Sequence, residues 1–103
     1  MDIYKLMKLL SDPTRMKILF VLYNQPSYVQ EIVDLVDQSQ ANVSKHLKKL
    51  RDLGIVSNES EGNKVKYEVD NCYLNQCIVF IPLMDMYRKH PDGMMLLNKI
   101  KTN

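Results

Sequence analysis

From Ser39 to Gly54 the chain carries an apolar stripe, Val43, Leu47, Leu50 and Leu53, at spacings of four, three and three. That period puts all four side chains on one side of an α-helix. Ser39 is a residue type that caps the orphan N–H groups of a helix start, and Gly54 suits the left-handed position in which helices end. A helix from Gln40 to Leu53 is therefore expected. Its opposite face presents Gln40, Ser44, Lys45, Lys48 and Lys49, with Asn42 and His46 flanking. Just upstream, Val29, Ile32, Val33 and Val36 predict a shorter helix over about 28–36, ended by the polar run Asp37-Gln38-Ser39. Two short helices joined by about three polar residues, the second apolar on one face and basic on the other, make a helix-turn-helix over about 28–53.

The flanking segments narrow the architecture. Ile55–Ser60 and Lys64–Asp70 read as strands, the second alternating Val65, Tyr67 and Val69 inward with Lys64, Lys66 and Glu68 outward. Glu61-Gly62-Asn63 between them is a hairpin turn, so about 55–70 forms a wing. Upstream, Ile3, Leu6, Met7 and Leu10 predict a short amphipathic helix over 2–10. Asp12-Pro13 opens a second helix with the stripe Met16, Ile18, Leu19, Leu22 and Tyr23, stopped near Pro26. Downstream, Leu74, Cys77, Ile78, Ile81 and Met84 predict a helix over about 71–89 that Pro82 kinks or divides, and Met94–Ile100 a last short one. The expected fold is mainly α with a two-stranded β-wing, a winged helix-turn-helix filling 1–103 as one domain.

Composition excludes several classes. With 46% apolar and 25% charged residues the chain is ordinary globular material, neither disordered nor fibrous. The longest apolar run, Cys77 to Met84, is broken by Pro82 and falls far short of the roughly 20 residues of a membrane-spanning helix. Asp2, Lys5 and Lys8 on a helical pattern do not read as a secretory leader, and two cysteines cannot staple a secreted scaffold. A soluble cytoplasmic protein with no membrane partner is the expectation. Enzyme chemistry is the weakest class: there are two histidines, no nucleophile–base–orienter set and no phosphate loop among three glycines. No catalytic residue and no cofactor is expected.

A net charge of +2 says little, but its distribution says more. Lys5, Lys8, Arg15 and Lys17 are balanced by Asp2, Asp12, Glu31 and Asp34, whereas over 40–66 six cations (Lys45, Lys48, Lys49, Arg51, Lys64, Lys66) face three acids (Asp52, Glu59, Glu61). A helix fits the major groove of DNA, where amides and hydroxyls near its N-terminus suit base edges and lysines suit phosphates. Direct readout falls to Gln40, Ser44 and Lys45. Asn63, Lys64 and Lys66 at the ribbon reach the adjacent backbone or minor groove. Two alternatives stay open: a solvated lysine face, and a winged helix used for protein contacts.

Three stretches together resemble the ArsR/SmtB family of small winged-helix repressors: Leu9-Leu10-Ser11-Asp12-Pro13-Thr14-Arg15 with Ile18-Leu19, then Ser39-Gln40-Ala41-Asn42-Val43-Ser44-Lys45-His46-Leu47 with Leu50, then Gly62-Asn63-Lys64-Val65-Lys66-Tyr67. They fall in the family's order and spacing across about 6–70. The resemblance implies a homodimer, formed by the first and last long helices, that binds operator DNA and is released by an effector. The residues agree in part, since Ile3, Leu6, Met7 and Leu10 on one helix and Leu74, Ile78, Ile81 and Met84 on another still need burial once the reading unit has closed its core; they can pack on each other or across a two-fold axis.

The effector is less legible. Among the metal-sensing sites of such relatives, the third-helix slots correspond to Tyr28 and Gln30, neither a soft ligand. In the last-helix set Asp70 and Cys72 lie near their places, but the partner positions hold Leu83 and Met86. At most two ligands result against the four that zinc wants, with His90 a third only if Pro82 distorts the helix, so no metal is expected. The other option is thiol chemistry at Cys72 and Cys77, as in persulfide- or oxidant-responsive relatives. Five residues of helix rise about 7.5 Å, beyond the roughly 7 Å reach of a disulfide, so an intact helix keeps them apart. Cys72, near the helix start, is the more reactive candidate, and Cys77 lies on the apolar stripe. Two purely structural thiols, or no effector at all, are the remaining readings.

Overall fold

The computed structural model describes residues 2–70 and 79–102; Leu74, Ile78 and both thiols, Cys72 and Cys77, lie outside the described residues. Those described form six helices, α1 (Ile3–Leu10), α2 (Pro13–Asn24), α3 (Val29–Val36), α4 (Gln40–Asp52), α5 (Phe80–Lys89) and α6 (Pro91–Thr102), and three strands, β1 (Ser27–Tyr28), β2 (Val56–Glu61) and β3 (Lys64–Val69). The sheet is antiparallel in the order β1-β3-β2. The expected two-stranded wing thus gains a third strand: Ser27 pairs with Tyr67 and Tyr28 with Lys66. None of the described helices is long and apolar enough to cross a membrane.

The start and stop signals work as chemistry predicts. Asp12 accepts the Arg15 N–H at 3.0 Å and Pro13 takes the first position of α2, while Ser39 Oγ accepts the Asn42 N–H at 3.1 Å at the head of α4. Asp37 ends α3 in the left-handed conformation at φ 55°. Gly54, at φ 76°, closes α4 in a Schellman motif: its N–H meets Arg51 C=O at 2.9 Å and the Ile55 N–H meets Leu50 C=O at 3.0 Å. In the hairpin Gly62 sits at φ 64°, the first linking position, where a type II′ turn wants glycine.

The core is built around α2, which is buried on all sides rather than along one stripe: Met16, Ile18, Leu19, Phe20, Val21 and Leu22 are all inside. Val43, Leu47 and Leu50 pack beneath it, together with Ile32, Leu35 and Val36 of α3 and Ile55, Val56, Tyr67 and Val69 of the wing. The stripe of α4 is one residue shorter than expected, because the helix ends at Asp52 and leaves Leu53 41% exposed. In α1 the residue that enters the core is Leu9; of the expected stripe, Leu6 and Leu10 are half-buried and Ile3 and Met7 exposed.

The C-terminal part also differs from expectation. Pro82 lies in the first turn of α5, where its missing N–H breaks no helical bond. Met84, expected to await a partner, is fully buried in its own chain's core beside Phe80, so that assignment is corrected; Ile81 stays exposed. The last helix spans Pro91–Thr102 rather than Met94–Ile100, since Pro91 starts it and His90 Nδ1 accepts the Asp92 N–H at 3.1 Å. It folds back onto α5 and α2, with Gly93 so close to Tyr87 that a Cβ would lie 1.8 Å from the Tyr87 carbonyl oxygen.

Candidate nucleic-acid interface

The N-terminal half of α4 and the wing converge. Gln40 and Ser44 from the helix, Asn63, Lys64 and Val65 from the ribbon, and Tyr28 from β1 line one open groove of about 590 Å³. Lys45, Lys48 and Lys49 are exposed along α4, with Lys49 near its far end, away from the groove. Asn42 is half-buried and occupied locally, its Nδ2 donating to Gln38 Oε1 at 2.9 Å, so it braces the first turn of α4.

Tyr28 is the residue the sequence did not single out for this face. Its hydroxyl donates to Glu61 at the wing tip, and its backbone N–H meets Glu31 Oε1 at 2.9 Å at the head of α3. Lys64 Nζ and Lys66 Nζ stand 5.5 Å and 5.4 Å from the centre of its ring, within cation–π range. The hydrogen bond to Glu61 raises the Tyr28 pKa above its ordinary value. The wing cations are thereby oriented rather than free to sweep, and the ribbon is tied to the start of the helix-turn-helix. The available signal was faint: an aromatic residue preceding a helix, two positions after a proline.

His46 is a correction. Expected on the flank of the DNA face, it is instead buried, 8% exposed, on the underside of α4 toward the α1–α2 corner. Burial holds its pKa below the ordinary value, opposed by the carboxylate of Asp12 and assisted by Arg15, Lys45 and Lys49. Position 46 falls three after Val43 and four before Leu50, so it belongs to the inward stripe, and that spacing was available in the sequence.

Neither third-helix slot is a free metal ligand: Tyr28 bonds to Glu61, and Gln30 Nε2 donates to Asp34 Oδ1 at 3.1 Å. His90 stacks on Tyr87, their ring centres 5.9 Å apart, and caps α6. Among the described residues no group of three or more His, Cys, Asp or Glu side chains is placed to hold a metal ion.

Comparison with known proteins places this geometry in a context. The family model described as "Bacterial regulatory protein, arsR family" matches residues 12–58. The cadmium resistance transcriptional regulatory protein CadC homolog of Staphylococcus aureus is 37% identical over 79 residues, which cover 76% of this chain and 65% of that protein, just under two thirds of its length. An uncharacterized HTH-type transcriptional regulator of Methanocaldococcus jannaschii is 36% identical over 67 residues, 63% of this chain and 70% of that one. Among solved structures, the transcriptional regulator HlyU of Vibrio vulnificus superimposes with a TM-score of 0.64 at 29% identity, covering 77% of this chain and 82% of that chain. With the capped α4, the tied wing and these matches in hand, the chain belongs to the bacterial arsR family of regulatory proteins.

Proposed function

We propose that the chain is a homodimeric, sequence-specific, double-stranded DNA-binding repressor of transcription. Gln40, Ser44 and Lys45 read base edges in the major groove, Lys48 meets phosphates, and Asn63, Lys64 and Lys66 engage the backbone beside the groove, while Lys49 faces α1 and α2 instead. The observation that carries this reading is the convergence of Gln40 and Ser44 with Asn63 and Lys64 on one open groove. A helix N-terminus rich in amides and hydroxyls, flanked by cations held on an aromatic ring, matches the chemistry of a duplex better than that of a protein surface. Pairing is supported by Ile3 and Met7 of α1 and Ile81 of α5, all exposed, with Leu6 and Leu10 half-buried beside them. Two reading helices are needed to match half-sites roughly 34–36 Å apart on one duplex face. The homologous proteins are transcriptional regulators, which supports a regulatory role for this chain.

The test is fluorescence anisotropy with genomic fragments across a salt series. With about three phosphate contacts per protomer, the logarithmic slope is near −5. Gln40→Ala changes the preferred sequence, whereas Lys64→Ala weakens all duplexes alike. Absence of binding at low salt, or binding untouched by Lys45→Ala with Lys48→Ala, overturns the reading in favour of a protein-contact module.

A further inference from the structure

At the opposite end of α4 from the reading groove, a second cavity of about 240 Å³ opens between α1, α2 and α4, lined by Lys5, Lys8, Leu9, Arg15, Lys49 and Leu53. Four of the six are cations and none is acidic. Arg51, by contrast, lies 3.9 Å from Asp52, and the wing cations Lys64 and Lys66 stand over the Tyr28 ring. In this cavity, among the described residues, the one ion pair is made by Arg15. Arg15, only 12% exposed, reaches Asp12 Oδ2 through Nη2 alone at 3.6 Å, and that carboxylate already accepts the Arg15 backbone N–H. Arg15 Nε and Nη1 are buried and have no hydrogen-bond partner among the described residues. The guanidinium stays protonated at every working pH, so its charge adds to the positive field that Lys5, Lys8 and Lys49 make around the cavity. Leu53, turned out at the end of α4, and Leu9 add an apolar wall.

We infer that the α1–α2–α4 junction binds a small organic anion, a carboxylate or phosphate ester whose oxyanion meets Arg15, Lys5, Lys8 and Lys49 while its apolar body lies on Leu9 and Leu53. The volume is below the roughly 300–1,000 Å³ of pockets for drug-sized ligands, which selects a molecule of metabolite size. Such a ligand bridges α1, the helix with the exposed apolar face, to the end of the reading helix. Resting on the DNA-binding reading above, its occupancy alters operator affinity; the binding itself does not depend on that reading.

The test uses isotope-labelled full-length protein and two-dimensional amide spectra, titrated with benzoate and with phenyl phosphate, which separate the two head groups. Benzamide and sodium chloride at matched ionic strength are the controls. The expected result is saturable shifts around Lys5–Leu9, Arg15 and Lys49–Leu53 for at least one anion, none with benzamide, and binding weakened roughly tenfold or more in Lys5→Gln/Lys8→Gln. Both substituted positions are exposed, so the variant folds, as circular dichroism checks. Neither anion saturating, equal shifts with benzamide, or undiminished binding in the double variant overturns the site. Anisotropy of the DNA complex with the anion at saturation then reads the coupling. Unchanged DNA affinity overturns the coupling but upholds the site, and a protein that binds no duplex fails the earlier reading without touching this one.

Discussion

The reading unit, α3 with α4 and the wing, closes its apolar surface within one chain, whereas the outer layer of α1, α5 and α6 does not. Ile32, Leu35, Val43, Leu47 and Leu50 are all inside. Apart from Leu53, every large exposed apolar residue among those described comes from the outer layer or its cap: Ile3, Tyr4, Met7, Val79, Ile81, Met86, Met94 and Met95. The difference separates two kinds of hydrophobic pattern that look alike in sequence. One fills a core; the other leaves apolar side chains exposed, and the proposed pairing rests on these.

Substitutions in the two regions have different consequences. The largest effect expected is from Leu47→Ala, which lowers folding stability by about 2–5 kcal/mol in denaturant titrations, because a fully buried side chain leaves a cavity. Met7→Glu with Ile81→Glu acts on association instead: sedimentation shows a dimer dissociation constant raised roughly a hundredfold, with the unfolding midpoint of the separated subunit nearly unchanged. If the two variants lose folding stability in parallel, the distinction between core and interface fails. Ser39→Ala costs about 1 kcal/mol by removing the cap of α4, and thermal unfolding followed by circular dichroism measures it.

The smallest effects divide the two regions by pH. His46, under α4, has its pKa held below 6.5 by burial, so the folded state prefers it neutral. The stability it contributes is full above the free value and is lost as pH falls from there through the folded value. His46→Gln flattens that acid-side loss. Tyr87, in α5, packs edge-on to Phe20 with ring centres 5.2 Å apart, and burial pushes its pKa up from 10.0 to about 12. Its contribution is full below the free value and is lost as pH rises through that window, so Tyr87→Phe flattens the alkaline side. Stability curves against pH that are unaltered in both variants remove these assignments.

What was legible in the sequence was local. Ser39, Gly54 and Gly62 carry their backbone chemistry in their identity, and Val43, Leu47 and Leu50 carry the period, so α4, its ends and the hairpin follow from the residues alone. What was illegible depends on neighbours. β1 is two residues long, too short for any alternation, and exists because β3 has a free edge. Helix α2 shows no single apolar face because it is surrounded by other elements. Leu9 rather than Met7 enters the core, and Met84 lies inside rather than outside, because the docking angles of α1 and α5 decide it and those are tertiary facts. Of the groove, Gln40, Ser44, Asn63 and Lys64 were legible as polar groups on two neighbouring elements. Tyr28 was not, since its role comes from contacts with Glu61, Lys64 and Lys66, far along the chain.

The Schellman closure at Gly54 has a wider consequence. Ile55 is clamped from both sides, its N–H on Leu50 and its carbonyl accepting the Asp70 N–H at 2.9 Å, so no slack separates α4 from the ribbon. Helix and ribbon are thereby joined as a single stiff jaw. In the proposed dimer, two such jaws are set against a duplex by changing the span between them, as a caliper is adjusted at its pivot and never by bending its tips.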